Sequence, residues 1–283
     1  MVVSRKSELP IFWLMRIVTY LIVLVTLYIV IDIVVGGLPA ISWEFLTAMP
    51  RRSGTMGGIG PVILGTIYLI GGTAIIAIPL GIASAIYLAE YAKPTRFTNL
   101  IRLAITTLAG VPSIVFGLFG LGLFVLLFGF GTSVIAGSFT LACLIMPTII
   151  VASEESIRAV PRAFREGALA LGASKWQMIK TQVLPYSIPG MMTGSILGIS
   201  RAAGETAPIM FTAAVFFTRS TPTLTKPVMA LPFHLFTLST QVPEIEKVRP
   251  MQYGTALVLI SVVVGFSLIA VLVRTYYRSK YKW

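Results

Sequence analysis

Residues 103–153 read LAITTLAGVPSIVFGLFGLGLFVLLFGFGTSVIAGSFTLACLIMPTIIVAS and contain no charged side chain. One membrane crossing needs only about 20 mostly apolar residues, so this stretch is too long for a single helix. It is interrupted by Gly129-Phe130-Gly131-Thr132-Ser133, a composition typical of a tight turn. The sequence therefore predicts two membrane helices, at 103–128 and 133–152.

Other apolar stretches extend the same pattern along the chain. The composition agrees with a membrane protein, because 56% of the 283 residues are hydrophobic and only 11% are charged, whereas soluble domains are about one quarter charged. We predict an all-α integral membrane protein with one transmembrane domain over residues 1–283. Four further spans, which bring the predicted number to six, are expected near 12–35, 62–88, 187–214 and 254–275.

The net charge of +12 does not indicate a nucleic-acid partner. The basic residues lie between long apolar stretches and not along one solvated face. The chain has one cysteine, Cys143, and one histidine, His234, which excludes a disulfide framework and a zinc cluster built from this chain alone. We therefore expect membrane lipid as a partner, and no nucleic acid, bound metal or bound cofactor.

The distribution of Lys and Arg predicts the orientation. Fifteen of the 22 lie in the N-terminus, the 91–102 loop, the 153–186 loop and the C-terminus. Cytoplasmic loops carry the excess of basic residues, so both termini are expected in the cytoplasm. The opposite side carries Arg51, Arg52, Arg219, Lys226, Lys247 and Arg249.

The longest cytoplasmic loop, 153–186, is predicted to be a helix, a glycine turn and a second helix. Gly172 fits the position just after a helix end, where a left-handed backbone costs glycine little. Ser174 and Gln177 have the spacing of a capping box at the start of the second helix.

Gly167 and Gly172 also have the spacing of a phosphate-binding loop, but Ala173 occupies the position that requires a lysine. This chain is therefore not expected to hydrolyse nucleotide. A partner or an ion gradient must supply the energy for any pumping.

The residues Glu166-Gly167-Ala168, Gly172 and Leu184-Pro185 resemble the cytoplasmic signature of ABC importer permeases. That signature reads Glu-Ala-Ala, three residues, Gly, nine residues, Ile, one residue, Leu-Pro; Gly167 and Gln182 depart from it. In the family, this loop is the coupling helix that docks into a cleft on the ATPase subunit. The alternative is a basic amphipathic loop that lies on lipid headgroups.

Longer stretches across nearly the whole chain are similar to phosphate importer permeases, and to the PstA-type subunit rather than the PstC-type. The resemblance implies a bacterial inner-membrane protein that is not itself an enzyme. It also implies a PstC-type second permease, a PstB-type ATPase dimer that binds ATP and Mg, and a PstS-type phosphate-binding protein. The similar stretches are Gly57–Pro61, Glu155–Glu166, Ser200–Pro208 and Met229–Pro232.

Arg201 and Glu205 form the one internal ionic feature of the predicted spans. They are four residues apart near the middle of the 187–214 span, hence one turn apart on one helix face. A charge there costs roughly 2.5–3.5 kcal/mol, so the pair is expected to face the bundle interior or an aqueous path. Arg offers a planar fork for phosphate oxygens, and Glu205 could accept a hydrogen bond from a protonated phosphate. The alternative is a structural ion pair that only fixes helix packing.

A row of small residues runs beside that face. Gly190, Gly194, Gly198 and Ala202 repeat every four residues, a spacing that lets another helix approach closely. At 100° per residue, this row lies about 100° around the helix from Arg201. One face is expected to contact a neighbouring helix while the other lines a pathway.

Three functions remain as alternatives. The leading one is the membrane subunit of an ATP-driven phosphate importer. A second keeps this class but changes the solute to sulfate, molybdate or another oxyanion. A gradient-driven carrier or a channel is a third, although a carrier is disfavoured because the sequence has no second half that repeats the first. An intramembrane enzyme lacks a catalytic constellation.

Overall fold

The computed structural model describes residues 5–51, 56–218, 222–242 and 245–280. Arg52, Arg219 and Lys282, which contribute to the predicted orientation, lie outside these residues. The described helices, numbered in chain order, are α1 Arg5–Gly37, α2 Trp43–Thr47, α3 Gly60–Ile86, α4 Arg96–Leu108, α5 Ser113–Gly120, α6 Val134–Ala159, α7 Arg162–Ala170, α8 Lys175–Met178, α9 Leu184–Gly204, α10 Ala207–Thr212, α11 Leu231–Thr240 and α12 Ile245–Lys280.

Three π-helical turns continue the helices where the backbone widens. They cover Tyr87–Tyr91 after α3, Leu121–Leu127 after α5 and Ile179–Val183 between α8 and α9. The short strands β1 (Pro50–Arg51) and β2 (Met56–Gly57) pair antiparallel. The architecture is therefore helical, with one small hairpin among the described residues.

The centre of the structure is α6, which packs against both α3 and α9. Its residues Leu141, Leu144, Ile145 and Ile149 are almost completely buried. α12 lies on the far side of α9 and also contacts α1. By contrast, α1 exposes most of its apolar side chains, as expected for a helix that contacts lipid.

Four described helical segments are long and apolar enough to cross a membrane: Phe12–Ala40, Gly60–Tyr91, Val134–Ala159 and Glu246–Lys280. The bent pair Arg96–Leu108 and Ser113–Leu127 raises the number to five if it is one span. The structure thus supports a helical membrane protein, and the predicted number of six spans is not confirmed.

The region predicted as one helix at 103–128 has a different shape. The chain bends by 105° between α4 and α5. Pro112 has no N–H for the carbonyl of Leu108, and it disfavours a helical backbone at Val111. α4 therefore ends at Leu108. It starts at Arg96, after the Thr95 cap, which is earlier than the predicted residue 103. The turn at Gly129–Ser133 is present, with Gly129 and Gly131 at positive φ.

Candidate functional site

Arg201 and Glu205 form an ion pair at the end of α9. The Nε of Arg201 donates to the Oε1 of Glu205 over 3.2 Å, and the side chains are 38% and 16% exposed. The prediction of a continuous helix over 187–214, with this pair near its middle, is wrong. α9 ends at Gly204, and Glu205 has an extended backbone with ψ 131°.

Pro208 supplies the physical reason for the break. It cannot donate a hydrogen bond to the carbonyl of Gly204, and its ring would collide with that carbonyl in a continuous helix. The chain therefore turns at Glu205 and Thr206, then resumes as α10 from Ala207. Proline near the start of a helix and shortly after the end of another is common. The ion pair thus bridges the last turn of α9 and the break.

Two faces of α9 have different surroundings. Gly190, Gly194 and Gly198 lie against α6: a Cβ on Gly190 would collide with Ser156, and one on Gly194 would lie 2.5 Å from the Cβ of Ala152. Leu197, Arg201 and Gly204 are exposed along another face. Among the described residues, no element covers this second face.

Glu205 also lines a small internal cavity. Its other walls come from Thr66, Leu69 and Ile70 of α3, and from Ala202 and Ile209 on either side of the break. The carboxylate therefore lies between the exposed face of α9 and the packed core. α3 therefore lies directly beside the cavity that Glu205 lines.

Residues 153–159 of the predicted loop continue α6 to Ala159, and the rest forms α7, a glycine turn, α8, the π turn Ile179–Val183 and the start of α9. Gly172 has φ +83°, and the N–H groups of Gly172 and Ala173 donate to the carbonyls of Leu169 and Ala168 over 3.0 and 3.1 Å. This two-bond arrangement closes the end of α7. The Ser174–Gln177 capping box is present at the start of α8.

The turn presents an apolar tip to the outside. Leu171 is 91% exposed, and Leu169 and Trp176 are also exposed. Glu166 and Gly167 of the signature are exposed too, whereas Ala168 is partly buried. A Cβ on Gly167 or Gly172 would contact nothing within 4 Å. These residues are therefore accessible to a partner.

The first turn of α7 is attached to the helical bundle. The ring of Phe164 stacks on Tyr186 with centroids 5.0 Å apart. Arg165 forms an ion pair with Glu90 at 2.8 Å. In the sequence, the only signal for this pair is an arginine beside the signature Glu166.

Among the described residues, no group of three His, Cys, Asp or Glu side chains could hold a metal ion. The family to which the chain is related indicates the function of the ion pairs, the break in α9 and the exposed turn after α7.

The family described as "Binding-protein-dependent transport system inner membrane component" matches residues 77–282. The chain belongs to this family. It is thus an inner-membrane permease component of such a transport system. The matched region includes α7, the glycine turn and the Arg201–Glu205 pair.

Named relatives cover most of the permease. The probable phosphate transport system permease protein PstA of Methanocaldococcus jannaschii is 34% identical and covers 86% of this chain and 84% of its own length. The probable ABC transporter permease protein YqgI of Bacillus subtilis is 34% identical, with 82% and 83% covered. The phosphate transport system permease protein PstA 1 of Mycobacterium tuberculosis is 35% identical, with 77% and 71% covered.

Solved structures agree on the fold of the permease. A chain of a bacterial alginate ABC transporter, in complex with its alginate-bound periplasmic protein, aligns with TM-score 0.64 at 13% identity. It covers 94% of this chain and 93% of that chain. A chain of the MetNI methionine ABC transporter in an inward-facing conformation aligns with TM-score 0.59 at 13% identity, with 77% and 96% covered. The fold is that of ABC importer permeases.

Proposed function

We propose that this chain is the PstA-type membrane subunit of an ATP-driven importer of inorganic phosphate. It forms the translocation path with a PstC-type second permease, receives phosphate from a PstS-type binding protein and is driven by a PstB-type ATPase dimer that binds ATP and Mg. The whole chain is one transmembrane domain with both termini in the cytoplasm. Relatives named as phosphate permeases, at 34–35% identity over most of this chain, support the solute.

The location of the path is inferred from Arg201, which is exposed on the face of α9 that no described element covers. A charged side chain that faces lipid near the bilayer centre costs roughly 2.5–3.5 kcal/mol. A water-lined path closed by a second permease removes that cost. The Nε of Arg201 lies 3.2 Å from the Oε1 of Glu205, so an entering anion competes with that carboxylate for the guanidinium.

Glu205 adds a preference among anions. A carboxylate accepts a hydrogen bond from hydrogenphosphate, whereas fully ionised sulfate has no proton to donate and meets only like-charge repulsion. The pair therefore favours phosphate over sulfate or molybdate. Binding stays weak enough for release, because Glu205 competes with the anion for Arg201.

The turn after α7 is the contact with the ATPase. Leu171, which is 91% exposed, lies at this turn, and Leu169 and Trp176 are also exposed. A fixed apolar tip suits a cleft on a soluble subunit better than the polar headgroup layer, since its burial drives association. The alternative, a loop that lies on headgroups, predicts no loss of the ATPase when this tip becomes charged.

We therefore expect Leu171→Glu to weaken ATPase binding roughly 10- to 100-fold, because it loses the burial of a leucine and adds a charge at the contact. Copurification of the ATPase with the permease pair measures the effect. Leu171→Met, which conserves volume and hydrophobicity, is the matched control and is expected to retain the ATPase. Equal recovery of the ATPase with Leu171→Glu would contradict the assignment.

The solute is tested on the purified chain with its co-expressed neighbours. An ATPase is expected to copurify, and phosphate delivered by the binding protein is expected to stimulate its turnover. Stimulation by sulfate or molybdate alone would overturn the solute. Absence of any nucleotide-binding partner, together with uptake driven by an ion gradient, would favour the carrier.

A further inference from the structure

The side chain of Arg165 joins three parts of the structure. Its Nε and Nη2 both donate to Oε1 of Glu90, over 3.0 and 2.8 Å. Its Nη1 donates to the carbonyl of Val160 over 2.5 Å, and Nη2 also donates to that of Ile157 over 2.7 Å. Both side chains are largely buried, with 18% of Arg165 and 7% of Glu90 exposed.

The two carbonyls belong to the end of α6, which finishes at Ala159 with Val160 as its cap. The last carbonyls of a helix have no partner within the helix, and they carry the negative end of its dipole. A guanidinium therefore suits this place. A lysine could not reproduce the contacts, because it lacks the planar fork.

The carboxylate belongs to the π turn Tyr87–Tyr91 at the end of α3. Such turns are rare and often occur at functional sites. The adjacent Tyr91 contacts Lys175 of α8, with the ammonium 4.7 Å from the ring centroid. Two cations from the 153–186 loop thus hold the end of α3.

The N-terminal part of α3 lies beside the candidate path. Thr66, Leu69 and Ile70 line the same cavity as Glu205. From Glu90 to Ile70 the helix extends about 30 Å at 1.5 Å per residue. α3 is therefore a continuous connection between the loop that meets the ATPase and the pair that meets the anion.

We infer that the Arg165–Glu90 pair transmits movement of α7 to α3, and so couples ATP hydrolysis to rearrangement at Arg201 and Glu205. The chain itself connects α7 to α6 and to α9, but α3 is joined to α7 by noncovalent contacts. Ala85 of α3 and Phe164 of α7 also pack in one apolar cluster. Such contacts are non-directional, so they do not fix the position of one helix relative to the other. A forked ion pair fixes the register. Arg165 and Glu90 are positioning residues, and this inference rests on the proposed function.

The test uses the complete transporter in proteoliposomes, with uptake and ATP hydrolysis measured on the same preparation. Arg165→Gln and Arg165→Lys are expected to lower solute uptake per ATP hydrolysed roughly 10- to 100-fold, since each loses the charged fork. Basal hydrolysis and the amount of bound ATPase stay within about twofold, because Arg165 is largely buried against Glu90, whereas Leu171 is exposed. Glu90→Gln keeps an acceptor oxygen and is expected to retain more coupling than either Arg165 variant.

Two further variants separate transmission from general stability. Arg158→Gln removes a neighbouring ion pair with Glu154 on an arginine that is 54% exposed, and it is expected to leave uptake per ATP within about twofold. The exchange Glu90→Arg with Arg165→Glu is not expected to restore coupling, because a carboxylate at 165 would face the carbonyls of Ile157 and Val160.

Unchanged uptake per ATP in Arg165→Gln would overturn the inference. So would loss of the bound ATPase in step with uptake, since that assigns Arg165 to docking or folding. Failure of the proposed function gives a different result, in which phosphate does not stimulate even the unmodified complex. The coupling ratio is then measured with the solute that does stimulate it.

Discussion

Replacing Arg201 by alanine is expected to lower phosphate uptake by the assembled transporter roughly 10- to 100-fold. In the proposed path, the fork of Arg201 donates charge-assisted hydrogen bonds to the anion, and such bonds are worth about 1.5–3 kcal/mol each. The variant also leaves Glu205, which is 16% exposed, without its cation in the path, where it repels the anion. Uptake of labelled phosphate into proteoliposomes, at equal amounts of bound ATPase, measures the effect.

Leu197→Ala is the matched control, because Leu197 lies one turn before Arg201 on the same exposed face. It is expected to transport at close to the unmodified rate. Uptake by Arg201→Ala equal to that of this control would assign the ion pair to helix packing alone. Arg201→Lys retains a charge without the fork and is expected to lie between the two.

Gly194→Leu is expected to destabilise the chain by about 1–3 kcal/mol, the typical cost of overpacking a close contact. A Cβ on Gly194 alone would lie 2.5 Å from the Cβ of Ala152, so a larger side chain must push α9 away from α6. The helices would then lose contacts on both sides of the row of small residues. The thermal midpoint and the yield of monodisperse protein in detergent measure the loss.

Gly265→Leu serves as the control for this substitution. Gly265 lies in α12, and a Cβ there would contact nothing within 4 Å. The variant is expected to remain within about 0.5 kcal/mol of the unmodified chain, as for most surface changes. Equal stability of the two leucine variants would show that α6 and α9 are not in close contact at Gly194.

Local patterns were predictable because neighbours in sequence carry them. The Ser174–Gln177 box joins residues three apart, and both of its hydrogen bonds are present, at 2.8 and 3.3 Å. Gly172 ends α7 with a positive φ for the reason its sequence context indicates. Long apolar stretches likewise predict helices, since lipid forces the backbone to satisfy its own hydrogen bonds.

The breaks in the helices were harder to predict. Pro112 and Pro208 were visible in the sequence, yet many membrane helices tolerate a proline as a kink. A proline alone does not show whether the chain will bend, as it does by 105° before α5, or start a new helix, as it does at Ala207. The outcome depends on what the freed carbonyls and nearby side chains contact. In this chain the break after Gly204 places Glu205 beside α3.

By itself, the sequence determined the class of protein, the helical apolar segments, the helix–turn–helix of the 153–186 loop and the identity of the charged residues. Only the tertiary structure decided which of the charges that are distant in sequence meet. Glu90 and Arg165 are 75 residues apart, and no periodicity relates them. They meet because α6 packs between α3 and α9 and ends beside α3, where its last carbonyls and a carboxylate can share one guanidinium.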